Sequence, residues 1–370
     1  MDVMYNNTIS RKIQVIRLFS REYTVKKDKG GEVSMSGITS VTFTAVILVS
    51  SVIFVNGLTD APNAIATCVT TRSLSVRQAV FMSAVLNFFG VFISGKYSAA
   101  VTDTIMNMVD FGGNEKASSV ALCGAMFSIV LWAVSAWYFG IPTSESHALV
   151  AGLTGSALSV NGSFAGININ QWIKAIYGLV FSCLLGLVGG YVICRIIIAI
   201  FRNINRSKSK SFFRWGQIFA AAAMSFMHGA QDGQKFVAAL LMCISADGVF
   251  GNFNSIHAIL FCSFLMAAGT LSGGKKIIKS VGMDMVRLER YQGFSADIAG
   301  AISLFLSTLR GFPVSTTHAK TMAMVGSALA GGKNRINPQV IKDMILAWIF
   351  TFPGCGLLSF GVTKIFLRIF

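Results

Sequence analysis

The sequence predicts an all-α polytopic membrane protein: two inverted repeats with broken transmembrane helices and re-entrant helical hairpins. Three observations carry that prediction. The composition is too apolar for a soluble globule. Two apolar runs are interrupted by polar residues. The chain repeats its own motifs at a fixed spacing.

The 370 residues are 54% apolar and only 12% charged, about half the charged share of a soluble domain. Mean hydropathy is +0.65. The remaining charge is lopsided, 31 Lys and Arg against 15 Asp and Glu, a formal net charge of +16. The basic residues cluster in short gaps between apolar runs, which is the cytoplasmic-loop bias of membrane proteins and not a nucleic-acid surface. The seven cysteines form no CxxC pair, so neither a zinc site nor a disulfide framework is indicated; they read as small packing residues.

A spanning helix needs about 20 apolar residues. The candidate runs are 38–72, 78–100, 118–139, 172–200, 214–245, 255–273, 292–309 and 339–369. Ahead of them lies a polar, basic extension, 1–37, too long for the leading part of a signal peptide. Its Arg11, Lys12, Arg17, Arg21, Lys26, Lys27 and Lys29 suit either anionic lipid or solvent. The gaps at 202–214 and 275–290 are basic and are expected in the cytoplasm; those at 101–117 and 246–254, with Asp103, Asp110 and Asp247, are expected outside. The division expected is 38–200, a first transmembrane repeat, then a basic cytoplasmic loop at 201–213, then 214–370, a second repeat.

Two runs are interrupted by polar residues that include charge, Asp60 in the first and Asp232 with Lys235 in the fifth. A carboxylate there costs about 2.5–3.5 kcal/mol on insertion scales. Gly57, Pro62, Gly229 and Gly233 predict a broken helix at each, tolerable only around a water-filled cavity or an ion.

Asp60 and Asp232 stand 172 positions apart, and a second motif pair stands 171 apart. That pair is Gly140-Ile-Pro-Thr-Ser-Glu-Ser-His147 and Gly311-Phe-Pro-Val-Ser-Thr-Thr-His318, each followed by Gly-Ser-Ala-Leu. Repeats with interrupted helices in matching places mark a secondary transporter with its site near the midplane. Pro142 and Pro313 suit helix starts. There the hydroxyls of Thr143, Ser144, Ser146, Ser315, Thr316 and Thr317 gather beside free amides, a setting that binds oxyanions. No Lys or Arg lies within either cluster, which suits reversible binding.

Loop charge places Arg72 and Arg77 inside. Hairpin one is then expected to enter from the cytoplasm and hairpin two from outside. Counted as four spans and a hairpin, each half is even, whereas inversion requires an odd number. The inversion weighs more than the count.

At four motifs the chain resembles the inorganic phosphate transporter (PiT) family. They are Gly57-Leu-Thr-Asp-Ala-Pro-Asn63, His228-Gly-Ala-Gln-Asp-Gly-Gln-Lys235, Pro142-Thr-Ser-Glu-Ser-His147 and Pro313-Val-Ser-Thr-Thr-His318. The stretch from Asn63 to Arg72 looks like the family's continuation, and the resemblance covers 38–370. It implies a cation-coupled symporter of inorganic phosphate in the plasma membrane, assembled as a homodimer. By this likeness Asp60, Asn63, Gln231, Asp232 and Lys235 serve cation and substrate, with Na⁺ at Asp60, Asn63 and Asp232 if sodium couples, and the hairpin hydroxyls serve phosphate. Thr59 and Gln231 stand where the family favours other residues, so sulfate or another oxyanion is the alternative cargo. Na⁺ and H⁺ both stay open, and no cofactor is implied.

Several residues carry two readings. His147 and His318 are expected to brace the hairpins from behind the site. Lys235 lies one helical turn after Asp232 and is expected to neutralise it, with substrate contact as the other role. Glu145 is either a protonatable coupling group or a residue of a hydrated vestibule. An anion channel of the same architecture is the competing function. No GxSxG or HExxH supports an enzyme, and no GxxxxGK[ST] loop supports an ATP-driven pump.

Overall fold

The computed structural model describes residues 38–370 except 113–114, 140–142, 205, 246–254, 274–277, 280–284, 287 and 333–335. The extension 1–37, the first hairpin's Pro142, and Asp247 with its gap lie outside the described residues.

Among the described residues the chain forms twelve α-helices, one short 3₁₀ helix (Phe164–Gly166) and no strand. In chain order they are α1 (Ile38–Thr59), α2 (Ala61–Thr70), α3 (Val76–Tyr97), α4 (Ala100–Met106), α5 (Glu115–Phe139) and α6 (Glu145–Asn161). Then follow α7 (Ile169–Phe201), α8 (Arg206–Ser245), α9 (Ser255–Ser272), α10 (Arg290–Leu309), α11 (Thr316–Gly331) and α12 (Pro338–Ile369). Local chemistry sets the boundaries. Ser75 opens α3 with a capping box to Gln78, and Asn337 followed by Pro338 opens α12. Gly162 closes α6 at φ 63°, a conformation natural to glycine.

The packing is that of a bundle in lipid. Large apolar side chains face outward, among them Phe81, Phe264 and Leu357, while Asp60, Glu145, Asp232, Lys235, Asp297 and Lys320 are all buried. Six helical stretches are long and apolar enough to cross a membrane. Close helix crossings use paired glycines. A Cβ on Gly269 of α9 would stand 2.1 Å from the Phe54 carbonyl of α1, and one on Gly229 of α8 would stand 2.4 Å from the Asn87 carbonyl of α3. Small residues of this kind let helix backbones approach where lipid offers no hydrophobic drive.

Two expectations change. The first concerns the second broken helix. α1 and α2 part at Asp60, with Pro62 in the first turn of α2. α8, however, runs unbroken for 40 residues through Gly229 and Gly233. It has no proline, and a helical glycine costs only about 1 kcal/mol. Gly229 and Gly233 serve instead to seat α8 against Asn87 and Val91 of α3.

The second concerns the hairpins. Val109, before α5, pairs with Ile167, after α6, and Val286, before α10, pairs with Ile336, after α11. Each helix pair therefore begins and ends at one end of the bundle. α6 and α11, with 17 and 16 residues, rise only about 25 Å, short of a bilayer's apolar core of about 30 Å. The apolar run 118–139 is thus one leg of a hairpin, although its length and hydropathy also fit a crossing. Outside the hairpins each half has three long elements, α1–α2, α3 and α7 in the first and α8, α9 and α12 in the second. The base of hairpin one adjoins Asp110, while that of hairpin two adjoins Met285 and Asn337 beside the basic gap.

Candidate functional site

The tips of both hairpins meet the α1–α2 break and the middle of α8 inside the bundle. Ser144 is the N-cap of α6 and Ser315 the N-cap of α11; their Oγ atoms accept from the amides of His147 and His318, each at 3.2 Å. Capping leaves the first-turn amides of 145–146 and 316–317 outside the helices' own ladders. The two helix starts face each other, with the rings of His147 and His318 edge-to-face at 4.3 Å. Two positive dipole ends therefore converge on one place.

Around that place stand three carboxylates and one ammonium. Thr317 Oγ1 donates to Asp60 Oδ1 at 2.9 Å, and Asn63 Nδ2 donates to Thr317 Oγ1 at 3.0 Å. Thr316 Oγ1 donates to Asp232 Oδ2 at 3.2 Å. Asn56 Nδ2 lies 3.3 Å from both Asp60 Oδ2 and Asp232 Oδ2, one amide bridging two acids. Glu145 accepts from the Thr59 hydroxyl. Lys235 Nζ donates to Asp232 Oδ1 at 2.5 Å, to the Val314 carbonyl at 2.6 Å and to Ser146 Oγ.

Most of the expected residues thus converge: Asp60, Asn63, Asp232, Lys235, Ser146, Thr316 and Thr317. Thr143 is half-buried at the tip of hairpin one. Gln231 does not join them. Its amide donates to the Phe312 carbonyl at 2.7 Å and accepts from Thr308 at 2.5 Å, bracing hairpin two. His147 stacks on Phe352 and His318 on Trp348, so both rings pack behind the tips.

Two site residues escaped the sequence reading. Asn56 and His228 each precede their aspartate by four positions, one helical turn, and stand 172 apart. The duplication itself pointed to them. His228 Nε2 lies 3.4 Å from Asp232 Oδ2, and its Nδ1 lies 2.9 Å from Asn87 Oδ1.

At the site, three buried oxygens have no hydrogen-bond donor among the described residues: Asn56 Oδ1, Asn63 Oδ1 and Glu145 Oε2. A buried acceptor left unmade costs about 1–3 kcal/mol. These oxygens and the Asp60 carboxylate are the hard donors an alkali cation takes, so the residues fit a cation.

Comparison with known proteins agrees with this architecture. The sequence profile of the Phosphate transporter family matches residues 56–359. A protein of Bacillus subtilis described as "Probable low-affinity inorganic phosphate transporter" is 33% identical, over 85% of this chain and 93% of its own. A protein of Rhizobium meliloti with the same description is also 33% identical, over 83% and 90%. A solved structure described as "The sodium-dependent phosphate transporter" superposes with a TM-score of 0.79 at 21% identity, covering 90% of this chain and 100% of that one. At that identity the likeness is one of fold.

Proposed function

Because this chain belongs to the phosphate transporter family and is an integral membrane protein, we propose that it carries inorganic phosphate by cation-coupled symport with alternating access. The two repeats, 38–200 and 214–370, are the moving halves, joined by the loop 201–213. A homodimer in the plasma membrane is the proposed assembly.

The observation that carries coupling is the formal charge of the site. Asp60, Asp232 and Glu145 surround the single ammonium of Lys235. At an effective dielectric near 20, like charges about 6 Å apart repel by about 3 kcal/mol. An oxyanion entering a negative site is repelled unless cations or protons enter with it. An inside-negative potential adds about 2.3 kcal/mol per charge per 100 mV against entry. Cation binding therefore comes first and completes the anion site. Asp60 and Asn63 hold the cation, with Asp232 held by Lys235. The hydroxyls of Ser146, Thr316 and Thr317 and the first-turn amides of α6 and α11 then receive phosphate, with Thr143, Ser144 and Ser315 at the rim. Na⁺ is favoured by the fold neighbour's description.

The test is uptake of labelled phosphate into liposomes under imposed Na⁺ or pH gradients, with sulfate as competitor. Uphill accumulation that collapses without one cation gradient supports symport. Flux that follows the phosphate gradient alone supports a channel. Competition by sulfate at equal concentration replaces phosphate with a broader oxyanion class.

A further inference from the structure

The two halves treat equivalent positions differently. Asp60 and Asp232 are duplicates at a spacing of 172, and at that spacing Asn63 corresponds to Lys235. At the hairpin spacing of 171, Ser146 corresponds to Thr317 and Thr143 to Val314. The contacts obey the same correspondence across the halves. Asn63 of the first half reaches Thr317 of hairpin two, and Lys235 of the second half reaches Ser146 of hairpin one.

The Lys235 ammonium is fully buried and has three N–H donors. It meets three oxygens: the Asp232 carboxylate, the Ser146 hydroxyl and the Val314 carbonyl. A carboxylate, a hydroxyl and a main-chain carbonyl are a ligand set for a hard cation. At the corresponding first-half position the residue is an amide. Asn63 Oδ1 has no donor there, and the Asp60 carboxylate meets no ammonium; it accepts from Thr317 and Asn56.

We propose that Lys235 is a tethered cation: its ammonium permanently fills the second of two duplicate cation positions, leaving only the Asp60 position to exchange ions with solution. This rests on the cation-coupled reading above and sets its stoichiometry. A tethered charge neutralises Asp232 for the anion but is never released. The chain thus moves one cation fewer per phosphate than two open positions would. Lys235 is a specificity-determining residue for the coupling ion, and the asymmetry of the duplication decides how many ions are carried.

The experiment installs the first-half residue in the second half. Lys235→Asn removes the ammonium and supplies an amide oxygen. The full chain in liposomes is compared with the wild type for the ratio of labelled Na⁺ to labelled phosphate taken up. That ratio is expected to rise by about one, whether the Asp60 position takes Na⁺ or H⁺. In detergent without phosphate, the melting temperature of the variant is expected to rise more steeply with NaCl than that of the wild type, and not with choline chloride, because an ion that binds only the folded state stabilises it. Equal Na⁺ sensitivity of melting in the two proteins overturns the proposal. So does a variant that cannot be purified even in NaCl, since Na⁺ must be able to replace the ammonium. Wild-type uptake indifferent to Na⁺ and pH gradients overturns cation coupling instead, while the melting comparison still decides the role of Lys235.

Discussion

Lys320 of α11 forms an ion pair with Asp297 of α10, with neither side chain exposed. The Thr67 hydroxyl of α2 donates to Asp297 at 2.8 Å and lies 3.1 Å from Lys320 Nζ, and Gln217 of α8 donates to the same carboxylate. The cluster ties the first half's broken helix to hairpin two. It lies between Asp60 and the basic end, where Arg290 donates to the Thr71 carbonyl and Arg214 to that of Ser73. At the duplicate spacings the other half has Leu149, Met126, Ala239 and Ala45, all members of one buried apolar cluster. One side of the site is closed by charge and the other by hydrocarbon.

Breaking a buried pair from one side strands a charge and costs about 3–5 kcal/mol, whereas replacing both partners with apolar groups is often neutral. Lys320→Leu and Asp297→Met singly are therefore expected to lower the melting temperature in detergent sharply. The double variant, which copies the first half, is expected to recover most of the loss. Additive losses in the double variant refute the pairing.

The duplicated motifs made much of this site legible in the sequence. Their spacing alone linked Asp60 to Asp232 and hairpin one to hairpin two. Asp297 and Lys320 went unread although each is a charge within or beside an apolar run, itself a functional signal; they belong to no duplicated motif. The hairpins are hard to read from sequence because hydropathy measures length and polarity, and α5 satisfies both for a crossing. The pairing of Val109 with Ile167 reveals that the chain turns back. Continuity of α8 was hidden because Gly229 and Gly233 signal both a break and a close packing contact.

The hairpin hydroxyls divide by role. Ser144 and Ser315 cap their helices, and an N-cap Ser→Ala change costs about 0.5–2 kcal/mol of stability. Thr316 and Thr317 point at the acids. Losing one neutral hydrogen bond costs about 0.5–1.5 kcal/mol, or about two- to twelvefold in phosphate affinity. Ser144→Ala and Ser315→Ala are expected to lower the melting temperature, while Thr316→Ala and Thr317→Ala weaken phosphate binding with little effect on melting. Affinity unchanged in both threonine variants and in their combination would sink the hydroxyl assignment.

The glycine crossings admit no side chain. A Cβ at Gly269 collides with backbone of α1, whereas one at Gly361 of α12 meets nothing within 4 Å. Overpacking of a close contact costs about 1–3 kcal/mol. Gly269→Ala is expected to lower the melting temperature, with Gly361→Ala near the wild type. Equal melting of the two variants would show that α1 and α9 part easily.

Asp60 and Asp232 are duplicates in sequence but not in consequence. The partners of Asp60 are neutral, Thr317 and Asn56, so Asp60→Asn keeps the shape and strands no charge. That variant is expected to melt near the wild type while losing gradient-driven phosphate accumulation. Asp232 pairs with the fully buried Lys235. Asp232→Asn leaves an ammonium without its counter-charge, at a cost of about 3–5 kcal/mol, and is expected to melt well below Asp60→Asn. Combining Asp232→Asn with Lys235→Asn removes both charges and is expected to restore most of the melting temperature without restoring transport. The measurements are melting in detergent and uptake in liposomes on the same four proteins. If Asp60→Asn still concentrated phosphate with unchanged Na⁺ and pH dependence, its carboxylate would only brace the break between α1 and α2 through Thr317 and Asn56, and the coupling site would lie elsewhere.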